Sequence, residues 1–239
     1  ATSDARVLPD FGLSDEPTDE ELLATAFFHE PLALIGGPSN PDDNRDLSRA
    51  IRIDLARHNR FNTDALDEFI ATHPTSPWRA SLLVNLGILY RAIGRYQRAL
   101  DVWEEAWSIT RTAEGPDARD LGDRAVSELA LLNAQVGRKE RLDSLAPILR
   151  DRPPLGPAAE RYARAQIGRA TMAAHPERTY RCGPFAVSNV WSVLHPRELT
   201  PTVLRDATSS VQGTSLAQLV ALAAEAGEPM RAMRRAPGT

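Results

Sequence analysis

The sequence predicts a mostly α-helical protein built from pairs of short helices stacked side by side. Three observations carry that expectation. Apolar residues recur at helical spacing along most of the chain. Turn signals punctuate those runs at Gly94, at Glu114-Gly115-Pro116 and at Asp151-Arg152-Pro153-Pro154. The composition, 42% hydrophobic and 25% charged, is that of a globular chain with a real core.

The chain's 239 residues suffice for one or two domains. A net charge of -4 argues against a general nucleic-acid surface. Lys139 is the single lysine, so arginine supplies nearly all of the positive charge. One cysteine, Cys182, rules out an internal disulfide. No apolar run approaches the ~18 residues that a membrane span needs, and no membrane partner is expected. The acidic, polar start shows no signal peptide, which fits a soluble chain in the cytoplasm or one secreted after processing.

In chain order, residues 1–17 read as an extended or disordered lead-in. Thr18 and Glu21 form a capping box for a short helix carrying Leu22, Leu23 and Phe27 and ending near Pro31. Residues 35–44 read as a loop. Leu47, Ile51, Ile53, Leu55 and Ala56 predict a helix over 45–58, and Leu66, Phe69 and Ile70 one over 63–72, stopped by His73-Pro74. Ser76 is the expected cap of the next helix.

Residues 80–107 have the clearest pattern: Leu83, Leu86-Gly87 and Tyr90, then Gly94, then Ala99, Trp103 and Ala106. Two helices meet at Gly94; Gly87, with no side chain, lets them approach closely, and Tyr90 and Trp103 are large enough to fill the gap between them. A further pair is expected over 117–151, with Leu129, Leu132, Val136, Leu142, Leu145, Ile148 and Leu149 as its apolar positions and an insertion at 112–121 ahead of it. Residues 152–177 read as a linker and a connecting helix over 158–174.

The 80–107 pattern resembles the tetratricopeptide repeat (TPR), with Trp103 where that pattern carries Phe and Arg111 where it carries Pro. The resemblance extends over 18–151 as a TPR-like superhelix, with degenerate units on either side of the clear one. It implies a protein–protein interaction scaffold whose concave face holds a peptide or an adjoining domain of a larger polypeptide. Arg79, Asn85 and Arg91 stand near that face. The resemblance allows them a role in holding a peptide carboxylate, and solvated surface is the favoured expectation.

Residues 178–239 read differently. Cys182-Gly183-Pro184 opens a helix with Pro184 at its first position and Phe185, Val187, Val190, Trp191 and Leu194 along its apolar side. Thr200 is the expected cap of a short helix over 201–207. Gly213-Thr214-Ser215 with Gln218 caps another, and Met230 to Arg234 are expected to begin a strand. This order resembles the first half of a C39-like cysteine peptidase domain, a papain-like fold, and the resemblance makes Cys182 the nucleophile. The family's His and Asp partners lie on a later sheet, and Pro176, Glu177 and Arg178 stand where it places an oxyanion Gln. The chain as given is therefore expected to be inactive unless further sequence completes it. The plain expectation for Cys182 is a small residue buried at a helix start. Segment 178–239 is expected to leave the apolar faces of Trp191 and Leu219 uncovered, which homodimerisation would relieve. No histidine pair has metal-ligand spacing and no phosphate loop occurs, so neither metal nor cofactor is expected.

Overall fold

A computed structural model describes residues 12–56, 62–210 and 213–234. Among these the chain is helical, with no strand and a single isolated backbone bridge between Ser210 and Gly213. The fold divides into two units, Ala1–Asn133 with Arg141–Ala165, and Ala134–Glu140 with Gln166–Thr239.

The first unit begins with α1 (Asp19–Leu23), started by the expected capping box. Thr18 Oγ1 accepts from the Glu21 N–H, and the Glu21 carboxylate accepts from the Thr18 N–H at 2.7 Å. The helix stops well short of Pro31. The Ala24 N–H bonds back onto the Glu20 and Leu22 carbonyls, and residues 25–40 run on with neither helix nor strand. Helix α2 (Pro41–Ala56) starts inside the expected loop, at a proline suited to a first turn. Its end beyond residue 56 lies outside the described residues, as do residues 1–11 of the lead-in. It packs on α3 (Asp64–Thr72), which buries Leu66 and Phe69.

Helices α4 (Arg79–Ala92) and α5 (Tyr96–Thr110) form the central pair, turning at Gly94 in a left-handed conformation (φ 76°) that favours glycine. The N-cap of α4 is Trp78, not Ser76; its indole is fully buried and donates to Asn44 Oδ1 at 2.7 Å. Contacts straddling Gly94 fix the antiparallel register. A Cβ at Gly87 would overlap the Trp103 indole, whose N–H donates to the Val84 carbonyl at 3.1 Å. Tyr90, buried beside it, donates to Asp67 and lies beneath the Arg98 guanidinium, 4.4 Å from the ring centre. Burial first, and then that hydrogen bond to Asp67, push the phenol well above its ordinary range.

The residues expected as an insertion instead lengthen the next helix. Helix α6 (Pro116–Gln135) takes up its second half as extra turns, and α7 (Lys139–Asp151) follows. Leu129, Leu132, Leu142, Leu145 and Leu149 are buried as expected, whereas Ile148 is exposed. Helix α8 (Gly156–Ala174) comes next.

The second unit contains α9 (Pro176–Thr179), α10 (Cys182–Leu194), α11 (Thr202–Asp206) and α12 (Leu216–Glu225). Ser215 and Gln218 form the expected capping box of α12. The N-cap of α11 is Pro201, without a side-chain cap, so Thr200 does not serve there. Pro184 is the third helical residue of α10, where its missing N–H is still one of the first-turn groups without an intrahelical partner. Met230 to Arg234 form no strand, since no neighbouring strand among the described residues offers a ladder. Trp191 is buried with Val187, Leu204 and Ala223, and Leu219 packs against this cluster, so those two side chains are covered within the unit. Phe185, Val190, Val193, Leu194, Leu199 and Leu216 are among the exposed apolar side chains instead.

Gly87→Ala drives a methyl group into the Trp103 ring, so overpacking should destabilise the fold by about 1–3 kcal/mol. Urea unfolding of this variant beside the parent chain measures it; an unchanged midpoint would mean the helices do not meet there.

Candidate functional site

The candidate site lies where the irregular segment 25–35 meets α4 and α6. On α4, Asn85 is 6% exposed, so it is not a solvated surface residue. The Glu30 N–H donates to its Oδ1 at 2.8 Å. Its Nδ2 donates to the Glu30 carbonyl at 3.1 Å and to the Ser81 carbonyl at 3.0 Å. One amide side chain thus meets both main-chain polar groups of a single residue, a recognition that carries no information about side chains.

The side chain of Glu30 is read by α6. Its Oε1 lies 2.8 Å from Arg124 and 3.3 Å from the His29 ring. Arg124 also reaches Glu128, one helical turn on, at 3.0 Å. Glu128 is fully buried, and Arg91 of α4 and Arg161 of α8 converge on it, Arg161 at 2.9 Å. The Glu128 Oε1 contacts are ion pairs without hydrogen-bond alignment. Burial depresses the Arg124 pKa, and the Glu128 and Glu30 carboxylates oppose that shift. Two residues on, Leu32 is 4% exposed. Beyond it, the Ile35 N–H donates to the Pro77 carbonyl at 3.0 Å.

Arg79, Asn85 and Arg91, for which the TPR resemblance allowed a peptide-carboxylate role, therefore have separate surroundings. Asn85 holds main chain. Arg91 faces Glu128, with its guanidinium 5.6 Å from the Trp103 ring. Arg79 joins α3 to α5: it donates to the Ile70 carbonyl and pairs with Glu105 at 2.6 Å. Sequence reasoning missed Arg124, Glu128, Arg161 and Glu30. The available signal was Arg124 and Glu128 one turn apart, a spacing common on solvated helices and therefore weak.

Cys182 is exposed at the first turn of α10, which corrects the expectation of a buried residue. His195 caps the other end of that helix, ~20 Å away at 1.5 Å per residue. Its ring stacks on Trp191, with centroids 4.5 Å apart, and its nitrogens face Glu198 at 3.2 Å and Glu228 at 2.6 Å. His195 is thus committed to carboxylates and is out of reach of the thiol.

Among the described residues, no group of three or more His, Cys, Asp or Glu could hold a metal ion, and no helix is long and apolar enough to cross a membrane.

The family model described as tetratricopeptide repeat matches residues 79–120, the stretch that holds α4, α5 and the start of α6. The chain thus carries a repeat of TPR type. No curated protein and no solved structure matches it.

Two predictions follow from these side chains. Glu128→Ala leaves three arginines facing one another across a buried gap. Because Arg91 and Arg161 keep 31% and 29% exposure, the loss should fall at the low end for a broken buried pair, about 3 kcal/mol, read by urea unfolding. For His195, the Glu228 and then the Glu198 hydrogen bonds raise the pKa above its ordinary value of 6.5. The stabilisation is then fully present below about pH 6.5 and lost as pH rises through the folded-state value. A ring-proton NMR titration should give a midpoint above 6.5 that falls in Glu228→Gln; an unmoved midpoint would mean Glu228 does not hold the ring.

Proposed function

We propose that this protein is an interaction scaffold that grips extended polypeptide on the face shared by α4 and α6. The observation that carries this reading is the paired main-chain hydrogen bonding of Asn85 to Glu30. It is a working example, within the chain, of an irregular segment held by its main chain against a repeat of TPR type. Main-chain bonds supply sequence-tolerant affinity, and the arginines around Glu128 supply a preference for charge. The repeat pair has little to offer as a catalyst. Many of its charged groups pair with one another, and His195 lies at the far end of the helix that the exposed Cys182 starts.

The front-half peptidase reading retains one supporting feature, the exposed Cys182 at a helix start. The scaffold reading is favoured because it uses groups that the fold has brought together.

A peptide-display selection against the whole chain tests the proposal. Selected peptides should lose at least tenfold in affinity to the Asn85→Ala variant, measured by fluorescence anisotropy. Peptides that bind the parent and this variant equally would place the docking surface elsewhere and remove the proposal.

A further inference from the structure

The segment 25–35 is placed as a ligand would be, and its construction shows what kind of ligand the site takes. Its two ends are fixed independently of the site. The Asp19 carboxylate accepts from the Ser39 N–H at 3.1 Å and from Asn44 Nδ2 at 2.7 Å, which ties α1 to the start of α2. Between these anchors the segment is held through the Ile35–Pro77 bond, the Asn85 and Arg124 contacts of Glu30, and buried side chains such as Leu32. Lifting it away would break these contacts and leave the Asp19 tie between the flanking helices intact.

A half-open pocket of about 300 Å³ is lined by residues 30–33 on one side and by Asp117, Asp120, Leu121 and Arg124 of α6 on the other. The charges at the site are closely matched. With Glu30 in place, Arg91, Arg124 and Arg161 face two carboxylates; with Glu30 gone, three guanidinium groups surround Glu128 alone. A vacated site thus demands one carboxylate. Asp117 and Asp120 at the cavity wall penalise a second acidic side chain next to it.

We propose that residues 25–35 occupy the docking site in cis, and that the partner displacing them is an extended segment of another protein with one internal Glu or Asp two residues ahead of a leucine-sized side chain. This rests on the scaffold reading above and adds to it the partner's chemistry and the competitor it must displace. The acid is a side chain within the segment, held by Arg124, rather than a chain terminus. Asn85 takes the main chain, and the pocket now filled by Leu32 takes the aliphatic group.

The test uses the whole chain and a fluorescein-labelled peptide with the sequence of residues 25–35, flanked by solubilising lysines. Anisotropy titrations are run against the parent, Glu30→Ala/Leu32→Ser, and that double variant with Asn85→Ala added. The expected result is at least tenfold tighter binding to the double variant than to the parent. That gain should disappear with Asn85→Ala, and should fall tenfold when the peptide carries Gln in place of its Glu. Circular dichroism at 222 nm checks that the variants stay helical. Should the double variant unfold, the parent sequence cut at a protease site placed between Gly36 and Gly37, where an added side chain meets nothing, takes its place and should exchange the labelled peptide. Equal binding to parent and released forms, or equal binding of the Glu and Gln peptides, overturns the inference. If display-selected peptides still depend on Asn85, the scaffold reading survives that result; if they do not, both fall.

Discussion

A missing side chain at residue 87 is the constraint on which the first unit depends. Without a Cβ there, α4 comes close enough for the Trp103 indole to lie against its backbone and to donate to the Val84 carbonyl one turn earlier. That approach brings the rest of the pair into reach. Tyr90 can span to Asp67 on α3, and Arg79 can tie the end of α3 to α5. A helix pair this thin buries one face and leaves the other open, so it needs neighbours. Helix α6 and the irregular segment 25–35 are two of those neighbours, and the site is where they meet.

The charged groups of the site are unusual for their burial. Glu128 has no solvent exposure and faces three arginines from three helices. Arginine suits such a place better than lysine: its planar fork engages two acceptors at once and is less strongly hydrated. The Arg124 Nη2 lies between Glu128 and Glu30, joining the buried carboxylate to the one that the segment contributes. The sequence's near-exclusive use of arginine, which by itself looks compositional, acquires a structural use here.

Much of the fold was legible from local rules, although the expected caps Ser76 and Thr200 do not serve. The capping boxes at Thr18 and Ser215, the turn at Gly94 and the interior placement of Leu86, Tyr90, Ala99 and Trp103 follow from spacing and side-chain size, and the structure places them so. Pairings distant in sequence were not legible. Nothing in residues 24–31 announces that the first helix will stop at Leu23, because the alternative partner for the Glu30 main chain, Asn85, lies on another helix. The residues ahead of α6 looked like an insertion because a lengthened helix and a loop share polar composition until the buried face is known. Nor did Cys182 reveal its exposure: a small apolar-like residue at a helix start is buried or not depending on what packs above it. Of the candidate site, Asn85 and Arg91 were visible as donors, but their occupants were not. Arg124 and Glu128 looked like an ordinary surface pair, and only the arrival of α4, α8 and the irregular segment makes them otherwise.

The closure of Asp19 onto Ser39 and Asn44 has a quantitative consequence. It turns the segment that carries Glu30 into a tethered loop, so the segment's return to Asn85 is a first-order event that dilution cannot slow. Short tethers of this kind present their cargo at a local level in the millimolar range. An untethered rival at micromolar abundance must make up that thousandfold handicap through contacts that the loop itself lacks, and the unfilled volume beside Leu121 is one place in the site where such contacts can be made.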